Sequence, residues 1–381
     1  MSPRTFKIEV PESTLSGIME KVAGYSWHEM PADGGWAYGA NLKYMQELCE
    51  YWINTYDWRK HEDQLNRWSH FVSTVDGLDI HYIHEKGSGP NPLPLLISHG
   101  WPGSVYEFMD VIEPLTHPER FGGKPEDSFD VIAPSLPGFA FSEKPKLPIG
   151  PRGIADKFST LMQENLGYKN FLAQGGDWGS AISSWLGYEH SPACIGIHIN
   201  MLSMRHHAGA QNQEEKEWEK ATAKVFEKEA AYNYLQSTKP QTLSYAMMDS
   251  PVGVAAWLVE KFNTWSDTSG DDIESVYTKD QLLTNIMIYL VTHSFNTATW
   301  IYYGRRQEGG RNFPVEEKRV EVPVSAAVFP AEFLPWAPRS YVERVYNIVR
   351  WTEMPHGGHF AAMEQPELLV EDVREFGRSF R

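Results

Sequence analysis

Cysteine is nearly absent from this chain. Its two thiols, Cys49 and Cys194, lie far apart and without metal-ligand spacing, which argues against a disulfide scaffold and against a structural zinc site. Basic charge is also scarce. The 34 Lys and Arg against 50 Asp and Glu leave a net charge of −16, so nucleic acid and anionic membranes would be repelled as partners. Nowhere do residues stay apolar long enough to span a bilayer. The start, Met1-Ser2-Pro3-Arg4-Thr5-Phe6-Lys7, lacks the apolar centre of a secretory leader. Cytoplasmic residence without a membrane anchor is therefore the expectation. Internal repeats and low-complexity tracts are missing as well. What the chain has in quantity is aromatic surface, 14 Trp, 18 Tyr and 18 Phe, which suits a pocket for apolar ligands as well as a core. Its 381 residues can build one elaborated domain or two to three.

The hydrophobic period changes along the chain. Helical spacing is expected near Pro11–Leu15, Asn41–Cys49 and Asp57–His61. The period then drops to two: Phe71–Val75 and Asp79–His84 flank Asp76-Gly77 and read as a hairpin. Buried strands follow at 93–98, 129–133, 170–174 and 194–199, with helices expected at 104–115 and 151–166 between them. That alternation predicts a parallel sheet with crossover helices. Residues 203–300 break the rhythm with helical patterns only and read as an inserted lid, whose charge run Glu214–Glu229 is expected to be a solvated face. Strands return at 322–329 and 346–351, and a helix at 364–380 closes the chain.

The chain is organised around Gln174-Gly175-Gly176-Asp177-Trp178-Gly179-Ser180. Small residues two before and two after a central side chain, between a short strand and a helix, make a nucleophile elbow, the mark of an α/β-hydrolase fold. Asp177 occupies the nucleophile's place. A carboxylate there displaces at an sp³ carbon and leaves an alkyl ester on the enzyme, which water then hydrolyses. The plain alternative is a Gly-rich turn whose Asp caps a helix. The fold predicts an acid and then a histidine, each on a loop after a later strand, and both places are filled. Glu332 follows strand 322–329. His359 follows strand 346–351 in Met354-Pro355-His356-Gly357-Gly358-His359-Phe360, with His356 as the solvated competitor. Two backbone N–H groups should form an oxyanion hole: that of Trp178, and that of Trp101 in Ser98-His99-Gly100-Trp101-Pro102-Gly103-Ser104.

At this point the sequence resembles the microsomal-type epoxide hydrolases, with their juvenile-hormone and fungal soluble members, over nearly its whole length. The resemblance rests on Tyr56-Asp57-Trp58-Arg59, His99–Ser104, Gln174–Asp177, Ser237-Thr238-Lys239-Pro240, Asp249–Gly253, Glu260-Lys261-Phe262 and Gly357–Ala362. It implies a division into an epoxide-hydrolase-type N-terminal extension with the first hairpin (1–85), a core in two parts (86–202 and 304–381) and a helical lid (203–303). It implies an epoxide substrate opened with water to a vicinal diol, without metal or organic cofactor. It also implies two lid tyrosines donating to the epoxide oxygen, at the positions of Tyr232 and Tyr302, with Tyr234 and Tyr303 as neighbouring rivals. Where family members follow the second tyrosine with a basic-acidic pair, this chain has Tyr303-Gly304. Trp257, Phe262, Trp265 and Trp300 are candidates for pocket walls or for core. A haloalkane dehalogenase would use the same Asp nucleophile, with Trp178 offering an indole N–H to halide; a non-catalytic binding protein could share the fold. Whether the chain works alone or as a homodimer is left open.

Overall fold

Among the described residues, nine strands, numbered in chain order, form one mixed sheet in the order β1-β2-β3-β5-β4-β6-β7-β8-β9. The computed structural model describes residues 3–32, 34–270, 272–315 and 318–381; Met1 and Ser2, which begin the stretch read as lacking a leader, lie outside the described residues. β1 (Arg4–Thr5), β2 (His70–Val75) and β3 (Leu78–Glu85) are antiparallel, and β3 pairs antiparallel with β5 (Phe129–Pro134). The Asp76-Gly77 turn has φ of 48° and 77°, the left-handed pair that a two-residue hairpin needs. β4 (Leu93–Ser98), β6 (Phe171–Gly175), β7 (Cys194–Ile199), β8 (Val320–Val328) and β9 (Tyr346–Glu353) run parallel. Every residue of β5 and β6 is buried, as expected for strands covered on both faces.

The chain leaves β4 toward β5 on one side and returns to β6 on the other. The loops after β4 and β6 therefore diverge above their carboxyl ends and leave a crevice, where ligands bind in open α/β sheets.

Three expectations change in detail. Residues 104–115 are not one helix: a 3₁₀ turn, Val105–Phe108, precedes the short helix Ile112–Thr116. Pro114 has no N–H to give Asp110, so a continuous ladder cannot pass. The closing helix is Pro366–Gly377 followed by a 3₁₀ turn, because Pro366 separates it from the short helix Ala361–Glu364. The charge run forms the helix Gln213–Glu229 and is largely solvated, except that Glu215 is buried and accepts hydrogen bonds from Arg344, Ser340 and the Gln211 amide at 2.6–2.9 Å.

Between β7 and β8 the described residues contain helices and isolated bridges but no strand pair. The N-terminal helices Glu12–Ala23, Leu42–Asn54 and Trp58–Leu65 brace this helical stretch. Tyr51 donates to Asp280 (2.9 Å), Tyr56 bonds Thr284 (3.1 Å) and Lys21 pairs with Asp249 (2.6 Å). The braced helix, Lys279–Val291, in turn holds the loop after β4. Asn285 donates to the Pro102 carbonyl (2.8 Å) and Tyr289 to the Gly103 carbonyl (2.7 Å).

Behind the sheet, Asp372 of helix Pro366–Gly377 accepts from His198 (3.0 Å), Arg350 (2.7 Å) and Thr352 (2.7 Å), clipping β7 and β9 together. Burial alone would raise its pKa, but His198 and the other donors outweigh it and hold the carboxyl well below the usual range. Its stabilisation is thus present above the unfolded carboxyl's pKa of ~3.9 and is lost only as pH falls through the depressed folded value.

Candidate active site

Asp177 sits at the tip of the elbow with φ of 43°, a left-handed conformation that a non-glycine residue adopts only where its surroundings enforce it. Two close approaches set it there. A Cβ on Gly179 would run into the Ser98 carbonyl, and one on Gly100 into the Asp177 carboxylate, so both positions require glycine. Asp177 opens the helix Asp177–Glu189, whose N-terminal dipole favours a negative charge.

The loop after β4 meets this carboxylate from the other side. The Trp101 N–H donates to Asp177 Oδ1 at 2.7 Å. His99 shapes the loop. Its Nδ1–H donates to the Gly100 carbonyl (2.9 Å) and its Nε2 accepts from the Leu136 N–H (3.1 Å). Burial pushes its pKa down to about 4, so it stays neutral and keeps both bonds. Trp178 is the second residue of the elbow helix, and its N–H has no acceptor within the helix.

The third side is the histidine loop. His359 Nδ1 donates to Glu332 at 2.9–3.0 Å, and its Nε2 lies 3.5 Å from Asp177 Oδ2. Both side chains are about 99% buried. Burial alone would lower the His359 pKa, but the Glu332 and Asp177 carboxylates outweigh it and raise it well above the ordinary value. The rings of Trp265, Phe333 and Phe360 surround the imidazole edge-on at 5.0–5.1 Å. His356, three residues earlier, is exposed.

Tyr232 and Tyr302 come together above the nucleophile. Tyr232 stacks on Trp101 (5.2 Å, 9° between planes), and Tyr302 stands edge-on to Tyr232 (5.8 Å) and Trp178 (4.6 Å). Both phenols line one pocket with Asp177. Burial, with Asp177's charge adding, raises the pKa of each, so both remain proton donors at neutral pH. The rivals lie apart: Tyr234 is 67% exposed, and Tyr303 does not line the pocket. Nor do four aromatics of the helical stretch. Trp257 donates to Gln236 and Trp300 to Asn296, Phe262 stacks on Phe360, and Trp265 packs against the histidine.

A family described as "Epoxide hydrolase N terminus" matches residues 3–108, and one described as "alpha/beta hydrolase fold" matches residues 94–242. Epoxide hydrolase 1 of Sus scrofa is 36% identical over 98% of this chain and 88% of its own length. Juvenile hormone epoxide hydrolase 2 of Ctenocephalides felis is 33% identical over 98% of this chain and 84% of its own. The chain belongs to the epoxide hydrolase family. Among solved members, juvenile hormone epoxide hydrolase from the silkworm Bombyx mori superposes with a TM-score of 0.90 at 29% identity, covering 100% of this chain and 95% of that one. The Aspergillus niger epoxide hydrolase superposes with a TM-score of 0.86 at 28% identity, covering 100% and 97%. Membership in this family does not favour the dehalogenase reading or the non-catalytic one.

Several residues of this hydrolase's site escape sequence reasoning. Glu107, in the 3₁₀ turn after the oxyanion loop, is buried in a cavity beside Asp177 and His359. Burial pushes its pKa up to about 8, and its Oε1 has no partner among the described residues. Glu364 accepts from the N–H groups of Gly358 and Phe360, on either side of His359, and from the Asp267 N–H in the helical stretch, all at 2.8–2.9 Å. With the His359 N–H bonded to the Trp265 carbonyl (3.0 Å), it ties the histidine loop to the helices above. Arg305 and Arg311 line the pocket beside the tyrosines. No motif announces any of these four, because each acquires its place through tertiary burial.

Proposed function

We propose that this protein hydrolyses epoxides with an apolar or aromatic body to vicinal diols through a covalent ester on Asp177. The observation that carries the reading is the pocket in which two buried phenols face one carboxylate nucleophile. Asp177 Oδ2 attacks an oxirane carbon while Oδ1 stays on the Trp101 amide. The carbon–oxygen bond breaks, and the alkoxide takes a proton from Tyr232 or Tyr302. Alkoxides are far too basic to leave unprotonated, and a phenol with a pKa of ~10 or above is a fitting donor.

Esterification removes Asp177's share of the negative charge that, with Glu332, holds the His359 pKa up. That pKa then falls, and Nε2 can take a proton from water as the water adds to the ester carbonyl. The Trp101 and Trp178 amides hold the resulting oxyanion, Glu332 supports the imidazolium, collapse releases the diol as the imidazolium protonates the departing alkoxide, and the proton left on the Asp177 carboxyl returns to the tyrosinate. No metal or organic cofactor takes part. The division at 1–85, 86–202, 203–303 and 304–381, with 203–303 as lid, is part of the same proposal. So are a cytoplasmic place of work, consistent with two buried free cysteines, and a role in removing reactive epoxides.

The tyrosine pair provides the test, since a halide leaving group would want N–H donors instead. A hydrogen bond that strengthens in the transition state is worth ~2–4 kcal/mol in a dry site, so Tyr232→Phe and Tyr302→Phe should each slow ester formation roughly 10²–10³-fold. The double variant should be nearly inactive, and ester hydrolysis should be spared in all three. Single-turnover kinetics separates the steps. Unchanged alkylation in every variant would mean that the leaving group is not an epoxide oxygen.

A further inference from the structure

The pocket contains two positive charges that the reaction does not require. Arg305 lies one helical turn beyond Tyr302 in the helix Trp300–Gln307 and so faces the same side. Arg311 follows Gly309-Gly310 just after that helix. Both line the pocket with Asp177, Tyr232 and Tyr302. The Arg305 guanidinium stacks over the Trp178 ring at 4.6 Å, and that of Arg311 over Phe226 at 5.3 Å.

Neither has an acidic partner. Arg344 pairs with Glu215 and Arg350 with Asp372, but among the described residues no carboxylate forms an ion pair with Arg305 or Arg311. The negative or potentially negative groups that act on them belong to the site itself: Asp177 and the phenols of Tyr232 and, for Arg305, Tyr302. Asp177 is already engaged by the His359 imidazole and the Trp101 amide. Burial works against both guanidinium charges, and Arg311 is further opposed by Arg305 and Arg205. Both guanidiniums are half-buried; like charges drawn partly out of water without counter-ions are unfavourable, and a bound anion with charge-assisted hydrogen bonds relieves them.

We infer that the substrate is an epoxide bearing a carboxylate, seated so that Arg305 and Arg311 take the carboxylate while the oxirane lies between Asp177 and the tyrosines. The inference rests on the epoxide reading above. It also resolves a conflict of charge. A chain of net charge −16 with an ionised nucleophile would repel an anionic substrate, and two guanidiniums inside the pocket reverse that field locally. Met201, Met204, Phe333 and Leu334 add apolar wall beside the polar Ser203 and Asn233, which suits a hydrophobic body behind the acidic group.

The test compares trans-3-phenylglycidate with its primary amide, two epoxides of the same ring and nearly the same size. Charge-assisted contacts lead us to expect kcat/KM at least ~10-fold higher for the carboxylate, mostly through KM. In Arg311→Gln the carboxylate-to-amide ratio should fall ~10–100-fold. Because Arg305 and Arg311 could instead stabilise the ring-opened alkoxide, the ratio is the informative quantity: loss of rate on both epoxides alike would overturn the inference. Calorimetric binding of unreactive 3-phenylpropanoate and 3-phenylpropanamide to the wild-type protein needs no chemistry. Tighter binding of the propanoate, with neither epoxide turned over, would uphold the anion site and defeat the epoxide reading. Turnover of the amide with no preference for the carboxylate would leave epoxide hydrolysis standing and defeat the inference.

Discussion

A His359→Gln enzyme should consume one equivalent of epoxide and then stop, holding the substrate as an ester. Ring opening needs the Asp177 carboxylate and a phenol, and neither changes in this variant. What disappears is the Nε2 that stands 3.5 Å from Asp177 Oδ2, the group placed to deprotonate a water approaching the ester. General-base catalysis contributes ~10²–10⁴-fold, so steady-state turnover should drop by that order while alkylation stays near normal. Glutamine can still reach toward Glu332 and keeps a side-chain donor beside the Leu334 N–H on that buried carboxylate. Intact-protein mass spectrometry should show a stoichiometric adduct. Normal turnover in His359→Gln, with the adduct trapped by His356→Gln instead, would assign the base to the exposed histidine.

Asp177→Ala should form no diol at all, a loss on the order of 10⁵-fold or more, because the nucleophile has no substitute in the pocket. The fold should survive. The Asp177 side chain is 18% exposed in the pocket, so removing it leaves no buried core void. An unchanged circular dichroism spectrum with no product is the expected pair of results. Measurable diol from a well-folded variant would exclude the covalent route.

The sheet's parallel half was readable because strands buried on both faces are short continuous apolar runs bounded by turns, as in Phe171-Leu172-Ala173 and in β5. The elbow was readable for a steric reason. Only small residues fit where the loops after β4 and β6 touch, and that requirement leaves a local pattern around Asp177. The order of Asp177, Glu332 and His359 follows from the fold, and the structure brings the three together. Helix 104–115 misled because its apolar spacing is helical while Pro114 interrupts the ladder.

Other features leave no local trace. β1 is two exposed residues, Arg4 and Thr5, whose strand state depends on pairing with Phe71 and Val72. Glu215 sits in a charged run like its neighbours, and its burial is tolerable because Arg344 and Ser340, more than a hundred residues away, join the Gln211 amide in donating to it. Glu107, Glu364, Arg305 and Arg311 belong to the same class. A carboxyl or guanidinium becomes part of a site when distant segments close over it, and sequence spacing does not record that closure.

The most direct test of an ester on Asp177 is a single turnover in ¹⁸O-labelled water with enzyme in excess over epoxide. Water that attacks the ester carbonyl leaves its oxygen on the enzyme, while the diol departs with the original Oδ2. The expected result is an unlabelled diol and one ¹⁸O in the peptide that contains Asp177. A labelled diol with an unlabelled Asp177 peptide would mean that water opens the epoxide directly, and would contradict the covalent mechanism.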